Sequence, residues 1–343
     1  MKSPEEFRKG SQQLGRALSS PITVELEVTS RCNNMCQFCY NVWEKGHDHT
    51  NMTAILDQLQ EADIKMLFFT GGEPLIREDI FELVEYARSQ KMKTCVVTNG
   101  TLLTEEKAQT LHHLHTSVQV SLHGTENMHD SLVGVPGAYQ KAVHGLRYLA
   151  EHRVPTNINL ALTRLNFREL PHVEEVARSL GASLSMTRLV LTGKHTNKTL
   201  QFTSQNISEL MDFLVHSDMK GASIQSPFPV CCLGEEGIPS MLEIYQKFDV
   251  VGCQGGITWC AVSPEGKVRT CGAMGKEEGD LKKESLRAIW SKSEFIWKCR
   301  TFSHVPQQCL DCQYLSLCTG GCRADAYAAS GRTNDPDPLS TWC

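Results

Sequence analysis

From residue 22 onward, short runs of apolar and β-branched residues alternate with longer segments whose apolar positions recur at helical spacing. The run 64–70 is apolar at most positions, which predicts a buried strand. Ile80, Leu83, Val84 and Ala87 share one face of a helix, which predicts an amphipathic helix there. The predicted strands are 22–29, 64–70, 93–98, 117–123, 156–163 and 183–191, and the predicted helices are 53–62, 80–87, 104–114, 137–152, 168–180 and 208–216.

Strand–helix units in series predict a parallel α/β sheet with helices outside it, because parallel neighbours need a crossover connection. Six such units are fewer than the eight of a closed barrel. Active sites of such sheets lie at the carboxyl ends of the strands. The segments that follow each predicted strand are therefore the place to look for function.

Charge and composition exclude several function classes. The chain has 343 residues, 41% of them hydrophobic, and a net charge of −5 with both signs interspersed. It has no basic stripe or polybasic stretch, so we expect no nucleic-acid partner and no membrane partner. Residues 1–20 are polar and charged and lack the apolar core of a signal sequence, which favours a cytoplasmic protein.

The 15 cysteines are concentrated at 32–39 and 253–343. In a long chain without an export signal, such clustering favours metal or redox sites over disulfides. Cys32, Cys36 and Cys39 follow the first predicted strand with C-x3-C-x2-C spacing. Three thiolates turned toward one point can hold three irons of a [4Fe–4S] cube and leave the fourth iron open.

The alternative for the first three cysteines is a zinc knuckle or a set of buried reduced thiols. Structural zinc usually takes four protein ligands. No fourth Cys or His lies at short spacing, and His47 and His49 are the nearest candidates.

With Phe38 directly before the third cysteine, the motif resembles the signature of the radical S-adenosylmethionine (SAM) superfamily. The resemblance implies that Cys32, Cys36 and Cys39 hold a [4Fe–4S] cluster whose open iron chelates SAM, with Phe38 and Tyr40 beside the cofactor. It also implies reductive cleavage of SAM to a 5′-deoxyadenosyl radical, which abstracts a hydrogen atom from the substrate. The fold that the resemblance implies is a partial (β/α)6 TIM-like barrel, which agrees with the six strand–helix units.

Motifs after the later strands resemble the same family. Two glycines after strand 64–70 would alone predict only a turn, but in this position the segment resembles the GGEP motif, whose backbone receives the SAM amino group. The residues concerned are Gly71, Gly72, Glu73 and Pro74. The segment 98–100 resembles another family signature and is equally typical of an Asn-Gly turn.

The resemblance assigns three further SAM contacts at strand ends: Ser121 to the ribose, Thr163 to the adenine side and Arg188 to the carboxylate, where an Arg fork suits a planar anion. A surface position is the alternative for Arg188. His123 departs from the family pattern, and it is a candidate for contact with the substrate.

The C-terminal region holds a second group of cysteines. The C-x2-C-x5-C-x3-C run from Cys309 to Cys322 is too dense for core packing, and zinc is the alternative for one quartet. The pattern resembles the SPASM extension of radical SAM enzymes, which binds two auxiliary [4Fe–4S] clusters. The resemblance assigns Cys253, Cys260, Cys271 and Cys322 to the first auxiliary cluster, and Cys309, Cys312, Cys318 and Cys343 to the second.

The remaining cysteines have no assigned ligand role. Cys95 and Cys299 match no motif position, and we interpret them as structural. The adjacent pair Cys231 and Cys232 is predicted to pack in the core, with one of the two near the substrate. The resulting domain prediction is a lead-in (1–21), a radical SAM partial barrel (22–217), a bridge (218–250) and a small cysteine-rich SPASM domain (251–343).

These patterns predict a radical SAM/SPASM oxidoreductase that uses SAM, three [4Fe–4S] clusters and an electron donor such as ferredoxin or flavodoxin. Two fully ligated auxiliary clusters favour electron transfer over ligation of substrate. Gly272 stands where sulfatase-maturing relatives place an Asp, which argues against formylglycine formation. The catalytic base is open, and the candidates by position are His123, Arg188, Glu25 and Glu27.

The substrate is also open. The leading hypothesis is a ribosomally synthesised peptide that receives a crosslink, a thioether or a side-chain oxidation, although residues 1–20 are too few for a leader-binding domain. The alternative is the same chemistry on a small molecule such as a tetrapyrrole, a sugar or a cofactor precursor. A non-catalytic metal-binding protein is the distant third.

Overall fold

The sheet extends in both directions from β1 (Thr23–Thr29), which lies in its interior and pairs in parallel with a strand on each side. The computed structural model describes residues 3, 5–6, 9–10, 13, 17–41, 51–190, 192, 197–219 and 221–341. The strands after β1 are β2 (Met66–Gly71), β3 (Lys93–Thr98), β4 (Ser117–Ser121), β5 (Thr156–Leu162), β6 (Ser183–Arg188), β7 (Ser223–Ile224), β8 (Asp249–Val250), β9 (Trp259–Val262), β10 (Lys267–Arg269) and β11 (Glu277–Asp280). Their order is β11-β10-β9-β1-β2-β3-β4-β5-β6-β7-β8.

The neighbours from β1 to β6 are all parallel, and a helix or a pair of helices joins each strand to the next. The first helices are α1 (Met52–Glu61), α2 (Ile80–Ser89), α3 (Glu105–His113), α4 (Glu126–Val133), α5 (Ala138–Glu151), α6 (Leu170–Ser179), α7 (Ser204–His216) and α8 (Ile238–Lys247). This arrangement confirms the predicted α/β class and the partial barrel.

The core between sheet and helices follows from the sequence pattern. Val24, Leu26 and Val28 alternate along β1 and are fully buried against the helices. The apolar stripe of α2 is buried in the same core. Thr104 caps α3, because its side-chain oxygen accepts a hydrogen bond from the Lys107 N–H at 3.2 Å.

Several elements were missed by the sequence analysis, and those beside the barrel are α4, β7, β8 and α8. Helix α4 is short and mostly polar, and it is buried only through His129, Leu132 and Val133. Strands β7 and β8 have two residues each, which is too short for an alternation pattern to show. Together with α8 they continue the sheet beyond β6, within the segment interpreted as a bridge.

The C-terminal region is joined to the barrel by backbone pairing. Strands β9 and β10 form a hairpin around Gly266, and β9 pairs in parallel with β1. The helices of this region are α9 (Leu286–Lys292), α10 (Glu294–Arg300), α11 (Gln307–Leu310), α12 (Leu315–Cys318) and α13 (Arg323–Ser330). Along the described ranges, no helix combines the length and the apolarity needed to cross a bilayer.

Two buried arginines also connect the barrel to the C-terminal region through ion pairs. Arg188, at the end of β6, lies 2.6 Å from Asp325 and 3.0 Å from Asp337. Arg269 on β10 lies 2.6 Å from Glu27 on β1. Both guanidinium groups are almost fully buried, so removing either partner leaves a charge without compensation in the interior.

We therefore predict that Arg188→Leu destabilises the protein by about 3–5 kcal/mol, because two carboxyl groups lose their partner in the core. The midpoint of urea unfolding, measured anaerobically by circular dichroism, tests this. The matched control is Arg178→Leu, whose pair with Glu175 is mostly exposed and should change stability by less than about 1 kcal/mol. Equal midpoints for the two variants would contradict the assignment.

Candidate active site

The loop that carries Cys32, Cys36 and Cys39 follows β1 and is held by its backbone against the end of α4. The N–H of Met35 donates to the carbonyl oxygen of Val133 at 2.9 Å, and that of Gln37 donates to Leu132 at 2.9 Å. The carbonyl groups at a helix C-terminus have no partner inside the helix, so they are available to a neighbouring loop. The unpredicted helix α4 thus positions the cysteine loop.

The cysteine loop is also held by side chains at the end of β3. The Asn99 side-chain amide donates to Asn33 Oδ1 at 2.8 Å, and the Asn33 amide donates to Thr101 Oγ1 at 2.8 Å. Asn33 lies between Cys32 and Cys36. The segment 98–100 is therefore a turn that also braces the cysteine loop, and the sequence alone could not distinguish these two interpretations.

The thiols of this loop suit an iron–sulfur cluster by chemistry. Burial raises the pKa of Cys36, and the charges of Cys39 and Cys32 raise it further, so the three sulfurs lie within electrostatic reach of one another. Bound iron favours the thiolate form and reverses this effect. Among the described residues, no three His, Cys, Asp or Glu side chains could hold a single metal ion. The assignment of an iron–sulfur cluster to this loop therefore rests on the chemistry of its three cysteine thiols, which are the usual ligands of such clusters.

The glycine segment after β2 lies directly against the cysteine loop. The N–H of Gly72 donates to the Thr29 carbonyl oxygen at 2.7 Å, and the N–H of Glu73 donates to the Arg31 carbonyl oxygen at 2.8 Å. A Cβ on Gly71 would collide with the Thr29 oxygen, and a Cβ on Gly72 would collide with the Arg31 oxygen. Only glycine allows this approach.

Glu73 is fully buried and has internal partners. Its carboxyl oxygens accept hydrogen bonds from Thr98 Oγ1 at 2.7 Å, from the Asn99 N–H at 2.7 Å and from the Leu75 N–H at 3.0 Å. Burial raises the pKa of this carboxyl group. The side chain therefore ties the glycine segment to β3, and any contact of this segment with SAM falls to its backbone. Pro74 begins a single 3-10 turn after it.

Phe38, in the cysteine loop, and His123, two residues after β4, are in contact. Their rings meet edge to face with centroids 4.7 Å apart. Nδ1 of His123 accepts a hydrogen bond from the Ala161 N–H at 3.2 Å. Burial lowers the pKa of His123 well below its ordinary value, and the neighbouring His129 lowers it further. Both effects favour the neutral form of the ring, and its Nδ1 is already occupied by the hydrogen bond from Ala161.

The other predicted SAM contacts lie at strand ends as expected. Ser121 is the last residue of β4 and is half-buried. Thr163 follows β5 and is fully buried, with its hydroxyl group donating to Asn166 Oδ1 at 2.9 Å. Tyr40 follows the third cysteine, and its hydroxyl group donates to Glu25 Oε1 at 2.8 Å.

The expected role of Arg188 is corrected by its partners. Its guanidinium group bonds Asp325, Asp337 and the carbonyl oxygen of Pro227, and the side chain has no exposed surface. Two carboxyl groups already neutralise it, so it is neither an available partner for the SAM carboxylate nor a base. It connects β6 to the C-terminal region.

Glu25 and Glu27 face the same side of β1, opposite to the buried valines and leucine, but they differ in their partners. Glu27 is 2% exposed and paired with Arg269. Glu25 is half-buried and bonded to Tyr40. A Cβ on Gly272 would lie 2.9 Å from Glu25 Oε2, so the missing side chain at position 272 leaves the space that Glu25 occupies.

The first set of C-terminal cysteines is brought together only in part. Burial raises the pKa of Cys271, and the charges of Cys253 and Cys322 raise it further, which places these three thiols together. Cys260 lies instead in the main barrel core. Cys299, interpreted above as structural, lies in the small core against which Cys271 and Cys322 pack.

The second set is gathered around one cavity. Cys309, Cys312 and Cys318 line it, together with Cys231. Cys343, the fourth predicted ligand, lies outside the described residues, as do His47 and His49. Cys232 is buried with its sulfur 3.6 Å from Met241 Sδ, as a packing thiol, and Cys95 is buried in β3.

Comparisons with known proteins agree with this geometry. A model of the radical SAM superfamily matches residues 26–177, and a model of an iron–sulfur cluster-binding domain, SPASM, matches residues 253–313. The AdoMet-dependent heme synthase of Oleidesulfovibrio alaskensis is 28% identical, over 98% of this chain and 93% of that protein. The mycofactocin maturase MftC of Mycobacterium tuberculosis is 29% identical, over 95% of this chain and 84% of that protein.

A solved structure shows the same fold. Streptococcus suis SuiB bound to precursor peptide SuiA superposes with a TM-score of 0.76 at 16% identity, over 97% of this chain and 79% of that chain. Fold, cysteine loop and family models together define an enzyme that uses SAM and iron–sulfur clusters. The chain belongs to the radical SAM superfamily and carries a C-terminal SPASM domain.

The contact between the glycine segment and the cysteine loop can be tested by Gly72→Ala. The new methyl group would displace the Arg31 carbonyl, and a shift of about 1 Å in a site can cost about 100-fold in rate. We expect deoxyadenosine formation under anaerobic reductant to fall by about that factor. Gly275→Ala is the control, since nothing lies within 4 Å of its Cβ position, and it should retain full activity. A Gly72→Ala variant as active as Gly275→Ala would refute the role of this contact.

Proposed function

We propose that this enzyme oxidatively modifies an unactivated C–H position in a ribosomally synthesised peptide. A mycofactocin maturase at 29% identity and a fold shared with a precursor-peptide complex support a peptide substrate. The observation that carries the proposal is the chemistry of the barrel interior, where an aromatic pair and one carboxyl group face the same space.

The aromatic pair is Phe68 on β2 and Trp259 on β9, which stack with centroids 5.0 Å apart and are both half-buried. Glu25 pairs with Phe68 across the β1–β2 ladder, so the two side chains lie on one face of the sheet. Such a surface suits an apolar or aromatic side chain. The Glu25 carboxyl group would repel an anionic substrate group such as a propionate.

The proposed ligands follow the cysteine groups. Cys32, Cys36 and Cys39 hold the SAM cluster in the barrel (22–217), and the SPASM region (251–343) holds two auxiliary [4Fe–4S] clusters, which makes three in all. When bound, SAM and its cluster supply a 5′-deoxyadenosyl radical that removes a hydrogen atom from the substrate carbon. The backbone of residues 71–73 and the ring of Phe38 position SAM, and ferredoxin or flavodoxin supplies the electron.

Glu25 is the proposed catalytic base. Oxidation of a C–H bond to a new bond releases a proton after the hydrogen atom and an electron have left, and that proton needs an acceptor. Among the candidates, Arg188 and Glu27 are held in buried ion pairs, and the His123 ring is buried and already accepts a hydrogen bond. Glu25 has Tyr40 as its hydrogen-bond donor and is the more exposed of the two β1 carboxyl groups.

A second candidate function is the same radical chemistry on a tetrapyrrole. The heme synthase of Oleidesulfovibrio alaskensis is as similar in sequence as the maturase and aligns over more of its own length. This candidate requires a cationic surface for the propionates. Among the described residues of the barrel interior, the buried arginines Arg77, Arg188 and Arg269 are each already paired with a carboxyl group.

Deoxyadenosine release separates the two candidates. The anaerobic reconstituted enzyme is given extract from the source cell, split by size into a peptide fraction and a small-metabolite fraction. We expect the peptide fraction to stimulate release. Stimulation by the metabolite fraction alone would replace the peptide proposal with small-molecule chemistry.

The role of Glu25 predicts a split between SAM cleavage and product formation. With the stimulating fraction, Glu25→Gln should still form deoxyadenosine, while modified product falls by about 100-fold or more, the usual loss of a general base. Mass spectrometry of substrate and product measures both quantities in one reaction. Glu235→Gln, at an exposed position, is the matched control and should change neither quantity. Unchanged product formation by Glu25→Gln would exclude it as the base.

A further inference from the structure

The cysteines around the first auxiliary site do not match the set implied by the family resemblance. Three of the four expected ligands, Cys253, Cys271 and Cys322, are neighbours. The fourth expected ligand, Cys260, lies in the main core, whereas Cys299, which was expected to be structural, lies in the small core beside Cys271 and Cys322. The inference drawn from this rests on the proposed auxiliary cluster and concerns its fourth ligand.

The strand register fixes the direction of Cys260. It pairs with Val24 across the β1–β9 ladder, so its side chain lies on the Val24 face of the sheet. That face is packed against the helices, and Cys260 has no exposed surface there. The opposite face carries Glu25, whose carboxyl group lies against Gly272, the residue after Cys271. Cys260 thus faces away from the side on which Gly272 lies.

Cys299, in α10, lies on the side of the auxiliary site. It is 2% exposed, and it belongs to the small core against which Cys271 and Cys322 are packed. A Cβ on Gly256, three residues after Cys253, would lie 3.0 Å from Cys299 Sγ. The thiol therefore lies directly against the segment that carries the first ligand.

The same segment also lies against Cys271. A Cβ on Gly255, two residues after Cys253, would lie 3.4 Å from Cys271 Cβ, and a Cβ on Gly256 would lie 2.9 Å from Cys299 Cβ. The turn that follows Cys253 therefore has Cys271 and Cys299 at adjacent positions.

We propose that Cys299 is the fourth thiolate of the first auxiliary cluster, together with Cys253, Cys271 and Cys322, and that Cys260 is a core residue. Four cysteines are the ordinary ligand set of a [4Fe–4S] cluster. A free cysteine that is fully buried among apolar side chains behaves as a small hydrophobe. In this arrangement α10 is anchored by the cluster, whereas β9 is anchored by pairing with β1.

The test uses full-length protein in which Cys32, Cys36 and Cys39 are replaced by Ala, so that only SPASM clusters remain. Cys299→Ser and Cys260→Val are compared with this parent after anaerobic reconstitution, by iron and sulfide content and by EPR of the reduced protein. We expect Cys299→Ser to lose about four irons per chain, or to keep them with an altered EPR spectrum, and Cys260→Val to match the parent. Valine is chosen because Cys260 shares its face with Val24 and Leu26.

The reverse result, with iron lost from Cys260→Val and none lost from Cys299→Ser, would overturn the assignment. Cys260→Val decides the question even where Cys299→Ser fails to fold, because loss of a cluster in the valine variant by itself refutes the proposal. Cys271→Ala is the positive control and should lose about four irons. If Cys271→Ala retains all iron, the proposed cluster itself is absent, which is a different failure from a wrong fourth ligand.

Discussion

The approach of two backbone segments without side chains between them is the constraint on which the site depends. Gly71 and Gly72 lie against the carbonyl groups of Thr29 and Arg31, at the point where β1 turns into the cysteine loop. Any Cβ there would push the loop away from the sheet. The buried carboxyl group of Glu73 then ties the same segment to the end of β3. The position of the cysteine loop is therefore set by backbone contacts with the glycine segment.

The elements that support this contact differ in how well the sequence predicts them. Strand β3 and helix α3 follow from local pattern, and both lie where the sequence predicts them. Helix α4 is mostly polar, and its role is to offer two terminal carbonyl groups to Met35 and Gln37. A backbone contact of this kind leaves no trace in the hydrophobic pattern, so the sequence could not reveal it.

The same distinction explains the errors in the candidate site. The motif cysteines were recognisable because their spacing is local. The partners of Arg188 were not, since Asp325 and Asp337 are more than a hundred residues away along the chain. Cys260 has a spacing that fits a ligand, but strand register decides which face its sulfur takes, and that register depends on pairing with β1. The spacing of cysteines along the chain shows which of them could share a site, whereas the strand register determines which side of the sheet each side chain faces.

The pairing of β9 with β1 also relates the two halves of the enzyme. One strand, β1, carries Glu25 and Glu27 toward the C-terminal region and leads directly into the cysteine loop. The hairpin that ends near Cys271 is hydrogen-bonded to that same strand through β9. The distance between the SAM site and the first auxiliary site is thus fixed by a continuous sheet rather than by a linker. Glu25 lies between them, within reach of Tyr40 on one side and Gly272 on the other. A substrate carbon held there would face the proposed radical source and the proposed proton acceptor in one rigid frame, and such fixed positioning of reacting groups is what raises the rate of a reaction between them.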